Sequence, residues 1–142
     1  MLTAKELQAK IAAAEAAKAT EALKHQHAEE AEKAALMERL SKPSGLSDEE
    51  VMAKASTIVG RAVENGLLSV QVFRFPNHLC TDNGRAINQR EDGWETTLTG
   101  IPKELYEFWK RQLQPRGYQI RYEILDYPGG MPGDVVVTIA WG

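Results

Sequence analysis

The sequence predicts an α+β protein in which a long N-terminal helical arm precedes one compact domain. Residues 1–43 contain 13 alanines and no Gly or Pro before Pro43, a composition typical of a continuous helix. Residues 44–142 hold every aromatic residue of the chain and two segments that alternate apolar and polar residues, as half-buried strands do. At 142 residues the chain is long enough for one ordinary core. We therefore divide it into an arm, residues 1–43, and a domain, residues 44–142.

The arm carries the signals of one helix from about residue 3 to residue 40. Thr3 and Glu6 have the spacing of a capping box, in which each residue bonds the backbone amide of the other. Opposite charges recur four residues apart along the arm, and each such pair adds ~0.2–0.5 kcal/mol to an exposed helix. The helix is expected to end in residues 41–45, where Pro and Gly interrupt it.

One face of the predicted arm helix is nearly continuous and consists mostly of alanine. Its members follow one another in steps of three or four, close to a heptad repeat, and small side chains let two helix backbones approach closely. We call this face the alanine seam: Ala9, Ala12, Ala16, Ala19, Leu23, His27, Glu30, Ala34 and Met37. The pattern predicts a coiled coil and a homo-oligomer formed through the N-terminal helix. Docking on another protein partner and a merely solvated helix are the alternatives.

Two helices are predicted in the domain. Ser47 and Glu50 form a second capping box, so the first helix begins there and continues to about residue 64. The other opens at Pro102, since proline is tolerated in the first turn of a helix, and ends near Pro115.

Four strands are predicted beside these helices. Residues 118–127 and 134–141 alternate strictly and flank a hairpin loop rich in Pro and Gly. Residues 67–75 are rich in Val and Phe, and residues 94–98 form a short further strand. The order α-β-β-α-β-β resembles two copies of one unit. We expect a four-stranded, mainly antiparallel sheet with both helices on one face.

Several classes of protein are excluded by composition. No apolar run approaches the ~18–20 residues of a membrane span, and charges interrupt the N-terminus too often for a secretory signal. The single cysteine excludes an internal disulfide and a zinc site built on two or more Cys. We expect a cytoplasmic protein without membrane contact.

Charge and motifs argue against nucleic acid and cofactors. The chain has 17 basic and 20 acidic residues, a net charge of −3, so the attraction to phosphates that dominates nucleic-acid binding is weak. It contains neither a phosphate-binding glycine loop nor the HExxH zinc motif. We expect no nucleic-acid partner, no cofactor and no metal.

The candidate binding site lies at residues 76–93, which we call the 76–93 loop. Eighteen residues between two predicted strands exceed an ordinary connection, and binding residues concentrate on such loops. The alternative is a polar surface loop packed by Leu79 and Ile87, in which Arg85 pairs with Asp82 or Glu91. Asp82 is expected to cap a short helical turn that runs as far as Asn88. The candidate ligand-binding residues are Arg74, His78, Asp82, Asn83, Arg85 and Asn88.

Catalysis finds little support in the sequence. His78 and Cys80 stand two residues apart, but a nucleophilic thiol needs a base and an orienting group, which no surrounding motif supplies. Cys80 is therefore expected to be a small apolar residue. We expect no catalytic residue.

These patterns predict a non-enzymatic interaction or adaptor protein whose N-terminal helix mediates self-association or partner docking. The alternative is a regulatory protein that binds a small ligand or nucleotide through the 76–93 loop.

Overall fold

A computed structural model describes all 142 residues of the chain. The chain divides into two compact units, an N-terminal unit, Met1–Leu36, and a C-terminal unit, Met37–Gly142. The prediction of an α+β protein with a long N-terminal helix is confirmed. None of its helices combines the length and the apolar character needed to cross a bilayer.

The first helix, α1, spans Ala4–Ser41 and is 38 residues long. Its N-terminus is the predicted capping box: the Glu6 amide donates to Thr3 Oγ1 at 3.2 Å, and the Thr3 amide donates to Glu6 Oε2 at 3.4 Å. Every residue from 1 to 35 is exposed, so this part of α1 is held by local interactions. One of them is the contact of His25 Nε2 with Glu29 Oε1, four residues later, at 2.9 Å.

The C-terminal unit contains three further helices. Helix α2 spans Asp48–Glu64, and the Ser47 hydroxyl caps it by accepting the Glu50 amide at 3.2 Å. Helix α3 is short, Arg85–Gln89. Helix α4, Gly100–Phe108, continues through a π-helical turn, Trp109–Leu113, and a 3₁₀ turn, Gln114–Arg116, before the left-handed Gly117 ends it.

Three antiparallel strands form one sheet in the order β1-β3-β2. They are β1, Ser69–Phe75, β2, Gln119–Ile124, and β3, Val135–Ala140. Strand β3 is central and all six of its residues are buried, as its run of Val, Thr, Ile and Ala favours. Its pairing with β1 joins residues far apart in sequence, such as Phe75 and Val135.

One hydrophobic cluster of the core consists of Phe108, Leu113 and Ile139, and Val51 and Met52 of α2 pack against it, so α2 and α4 lie on the same face of the sheet. A bulge in β1 between Gln71 and Phe73 breaks the regular pairing with β3. Buried Tyr122 ties β2 to α4 because its hydroxyl donates to the Pro102 carbonyl at 2.8 Å.

The prediction of a four-stranded sheet is wrong, because residues 94–98 do not form a strand. Residues Trp94–Thr97 form a 3₁₀ turn that follows the left-handed Gly93. The hydroxyls of Thr96 and Thr97 each donate at 2.7 Å to a carbonyl three residues earlier, and such local bonds compete with a strand ladder. Only Leu98 retains strand-like pairing, as an isolated bridge to Cys80.

The predicted α-β-β-α-β-β order is wrong as well. After α1, the elements run α2, β1, α3, α4, β2, β3, because the 76–93 loop contains α3 and the second predicted strand is absent. The two halves of the domain are therefore not copies of one unit. The predicted hairpin is present. Its strands are shorter than predicted, and residues 125–134 join β2 to β3.

Candidate functional site

Apolar side chains anchor the 76–93 loop to the rest of the C-terminal unit. Leu79, Cys80, Ala86 and Ile87 are buried, each at 5% exposure or less. A 3₁₀ turn, Asn77–Leu79, begins the loop, and α3 follows it. The loop thus presents its polar side chains from a fixed backbone.

Asp82 organises the start of α3. One carboxylate oxygen accepts the Gly84 amide at 3.0 Å, and the other accepts the Ala86 amide at 2.9 Å. These bonds satisfy amides that the first turn of a helix leaves free. The predicted helical turn and its Asp82 cap are confirmed.

His78 and Asn83 meet across the turn that precedes α3. His78 Nδ1 and Asn83 Oδ1 are 3.2 Å apart, and Asn77 Nδ2 donates to the Asn83 carbonyl at 2.8 Å. Asn83 holds a left-handed conformation, φ 58°, which asparagine tolerates better than most residues.

The other three candidates each bond a different neighbour. Arg85 forms an ion pair with Glu91 at 2.6 Å, and Arg74 forms one with Asp134 at 2.7 Å. Asn88 Oδ1 accepts the Tyr127 hydroxyl at 2.7 Å. Each bond joins segments of the C-terminal unit, so these side chains hold the loop and the hairpin in place.

Among the six candidate binding residues, only His78 and Asn83 are joined to each other by a side-chain hydrogen bond. Asp82, Arg85, Asn88 and Arg74 each form a polar contact within the protein, and the Arg85–Glu91 pair is one that the surface-loop alternative named. That the 76–93 loop binds a ligand stays a prediction.

Cys80 has the environment of an apolar core residue. It is 2% exposed, and burial raises the pKa of its thiol to about 11. The thiol is therefore protonated at neutral pH, whereas a nucleophilic cysteine reacts as the thiolate. The nearest sequence candidate for a base, His78, is bonded to Asn83 instead.

A groove of about 430 Å³ lies between α2 and the turns that follow α4. At its edge Arg111 donates twice to the Asp48 carboxylate, at 2.9 and 3.3 Å, and Gln112 donates to it at 3.0 Å. The Arg111 hydrogen bond, followed by that of Gln112, lowers the pKa of Asp48 below its usual value. Sequence reasoning missed this cluster because Asp48 is more than 60 residues away from Arg111 and Gln112. The groove is lined by Asp48, Glu49, Met52, Ala53, Ser56, Gln112 and Arg116.

The alanine seam lies on the exposed surface of α1. Its members from Ala9 to Ala34 are all exposed, and Leu23 retains 52% of its surface. Other large apolar residues of α1, Leu7 and Ile11, are also about half exposed, but helical geometry places them on a different face.

Comparison with known proteins gives no relatives: no protein-family model, no curated protein and no solved structure matches the chain. The structure contains no group of three or more His, Cys, Asp or Glu side chains placed to hold a metal ion.

Proposed function

We propose that the protein is a non-enzymatic adaptor that self-associates through the alanine seam of α1. The observation that carries this proposal is the exposure of residues 1–35, which form nearly all of a 38-residue helix. At 1.5 Å per residue such a helix is about 57 Å long. A surface of that length with a regular seam is suited to pairing along a second helix.

Charge does not oppose pairing of like chains at this surface. Residues 1–43 contain 7 basic and 7 acidic side chains, so two copies carry no net charge that would separate them. The alanines leave little bulk between two backbones, while Leu23 supplies a larger apolar contact near the middle of the seam. Because an alanine seam buries little area, we expect association in the micromolar range rather than a permanent assembly.

The C-terminal unit has the properties of a scaffold in this proposal. Asp82 and Asn88 of the 76–93 loop are engaged in internal hydrogen bonds, and the Cys80 thiol is buried with a raised pKa. These features support a binding role for the protein rather than thiol chemistry.

The test compares two variants of the full chain that carry the same substitutions on different faces of α1. The seam variant is Ala16→Glu with Ala19→Glu. The control variant is Ala14→Glu with Ala17→Glu, which has the same spacing, charge and helix propensity but lies away from the seam. The mass of each is measured by sedimentation at about 50 μM, within the micromolar range expected above.

The seam variant is expected to have a lower mass than the wild type, and the control variant is expected to retain the wild-type mass. Equal masses for all three proteins would exclude self-association through the seam. A control variant that dissociates like the seam variant would place the contact on another face of α1 and would also overturn the proposal.

A further inference from the structure

Strand β2 has an unpaired edge. In the order β1-β3-β2 it lies at the end of the sheet, next to β3 only. Apart from the bonds to β3, no backbone hydrogen bond involves residues 119–124. Its six residues pair with β3 in unbroken register from Gln119 to Ile124, so the edge is regular.

The register identifies the backbone groups that face outward. The Leu125 amide donates to the Asp134 carbonyl at 2.8 Å, and these two residues continue the β2–β3 register. Bonded pairs alternate along an antiparallel ladder, so residues 119, 121 and 123 bond β3. The N–H and C=O groups of Ile120, Tyr122 and Ile124 therefore point away from the sheet.

We propose that β2 of one chain pairs antiparallel with β2 of a second copy, about a two-fold axis at Tyr122. Tyr122 then bonds its own counterpart, and Ile120 bonds Ile124 of the second copy, giving six backbone hydrogen bonds in all. The two sheets join into one six-stranded sheet. Such an interface uses the same surface of both copies, as closed dimers do.

Charge complementarity selects the second copy as the occupant. In this register Arg121 lies directly opposite Glu123 of the other chain, and Glu123 lies opposite its Arg121. Both side chains are about half exposed, at 54% and 53%, and within one chain they already approach to 3.3 Å. Opposite charges facing each other across two strands stabilise the pair.

Other registers place like charges against each other. An antiparallel shift by two residues brings Arg121 opposite Arg121, or Glu123 opposite Glu123. Parallel pairing in register opposes both residues to themselves. A shift by one residue turns the apolar face of β2 to the wrong side. The sequence of β2 thus favours one antiparallel arrangement of two copies.

The other sheet edge lacks these properties. Strand β1 contains the bulge between Gln71 and Phe73, which interrupts its register, and Pro76 follows its last residue. Bulges and prolines are features that protect an edge from pairing. The β2 edge carries neither, although α3 packs against β2, close to Ile124.

This interface is separate from the alanine seam, and the proposal goes beyond the function proposed above. Either interface can exist without the other, so each has its own test.

The first experiment is a charge reversal in the full chain. Arg121→Glu alone, or Glu123→Arg alone, converts two attractive cross-strand pairs into two repulsive ones. Each is expected to weaken the β2-mediated association by roughly 10-fold, measured by sedimentation over a concentration series. The double variant R121E/E123R restores opposite charges across the axis and is expected to recover the wild-type affinity.

The second experiment reads the register directly. Arg121→Cys and Glu123→Cys are prepared as separate full-length proteins, mixed and oxidised. Directly opposed residues at a non-hydrogen-bonded position have Cα atoms about 4.5 Å apart, within the range of a disulfide. A cross-linked heterodimer is expected from the mixture and little from either protein alone. Buried Cys80 is present in all samples and serves as their common background.

The outcomes separate this proposal from that for α1. Cross-linking that persists when A16E/A19E is added supports the β2 interface even if the seam proposal fails. Single reversals that associate like the wild type would overturn the β2 interface. Cross-linking of R121C alone as efficient as that of the mixture would also overturn it, whatever the seam variant does.

Discussion

The N-terminal unit and the C-terminal unit are stabilised in different ways. In residues 1–35 no side chain is buried, and the helix depends on alanine, a capping box and pairs four residues apart. In the C-terminal unit the central strand β3 is buried throughout and pairs with β1, which lies about 60 residues earlier. The difference teaches that one chain can combine a locally determined helix with a core that exists only through distant contacts.

The largest effect is expected from Phe75→Ala. Phe75 is 1% exposed and lies against Phe73 and Tyr122 in the core. Its truncation is expected to lower the free energy of unfolding by about 3–5 kcal/mol. Urea unfolding followed by tryptophan fluorescence measures this, since all three tryptophans lie in the C-terminal unit.

The matched control for Phe75→Ala is Leu7→Ala, an apolar truncation on α1, where Leu7 is 48% exposed. It is expected to change the free energy of unfolding measured by fluorescence by no more than about 0.5 kcal/mol. Comparable losses in the two variants would break the distinction between the units.

A smaller effect is expected from Gly100→Ala. Gly100 begins α4 with a left-handed φ of 59°, and a Cβ there would collide with the Leu40 carbonyl oxygen. We expect a loss of about 1–3 kcal/mol from backbone strain of this kind.

Gly60→Ala supplies the same substitution without a collision. Gly60 lies within α2, and an added Cβ meets nothing within 4 Å. Because alanine favours a helix interior, this variant is expected to gain about 0.5–1 kcal/mol. Thermal unfolding of both variants provides the measurement, and shifts of the same sign would contradict the role given to Gly100.

Sequence reasoning succeeded where the determinants are local. The caps at Thr3 and Ser47 and the Asp82 turn each involve residues a few positions apart, and all three are present. It failed at residues 94–98, where apolar character suggested a strand but threonine hydroxyls bond nearby carbonyls.

The partners of the candidate site residues were less accessible to sequence reasoning. Arg74 pairs with Asp134, 60 positions away, and Asn88 pairs with Tyr127, 39 positions away. Only the Glu91 partner of Arg85, six positions away, was among the weighed alternatives. Side-chain pairing across a fold depends on strand order, and the predicted order was wrong.

Arg85→Ala tests how much the surface of the C-terminal unit contributes beside its core. The Arg85–Glu91 ion pair is more than half exposed on the arginine side, and exposed pairs contribute about 0–1 kcal/mol. A fall in melting temperature of a few degrees or less is expected. A loss as large as that of Phe75→Ala would show that polar contacts of the 76–93 loop, rather than the core, determine the stability of this unit.

The smallest effect concerns Asp48 and is lost in acid. Its pKa in the folded protein is lowered, first by the Arg111 hydrogen bond and then by that of Gln112, relative to an ordinary value of 3.8. A lowered pKa means that the ionised carboxylate stabilises the fold fully above that ordinary value. The contribution is lost as the pH falls through the lower pKa of the folded state.

Asp48→Asn is therefore expected to be less stable than the wild type at neutral pH, and the difference is expected to shrink below about pH 4. Urea midpoints measured from pH 7 to pH 2.5 test this, with Asp92→Asn, at an exposed carboxylate without a bonded partner, as the control. If the difference between Asp48→Asn and the wild type were constant across that range, the Arg111 contact would not hold the Asp48 carboxylate in its ionised form.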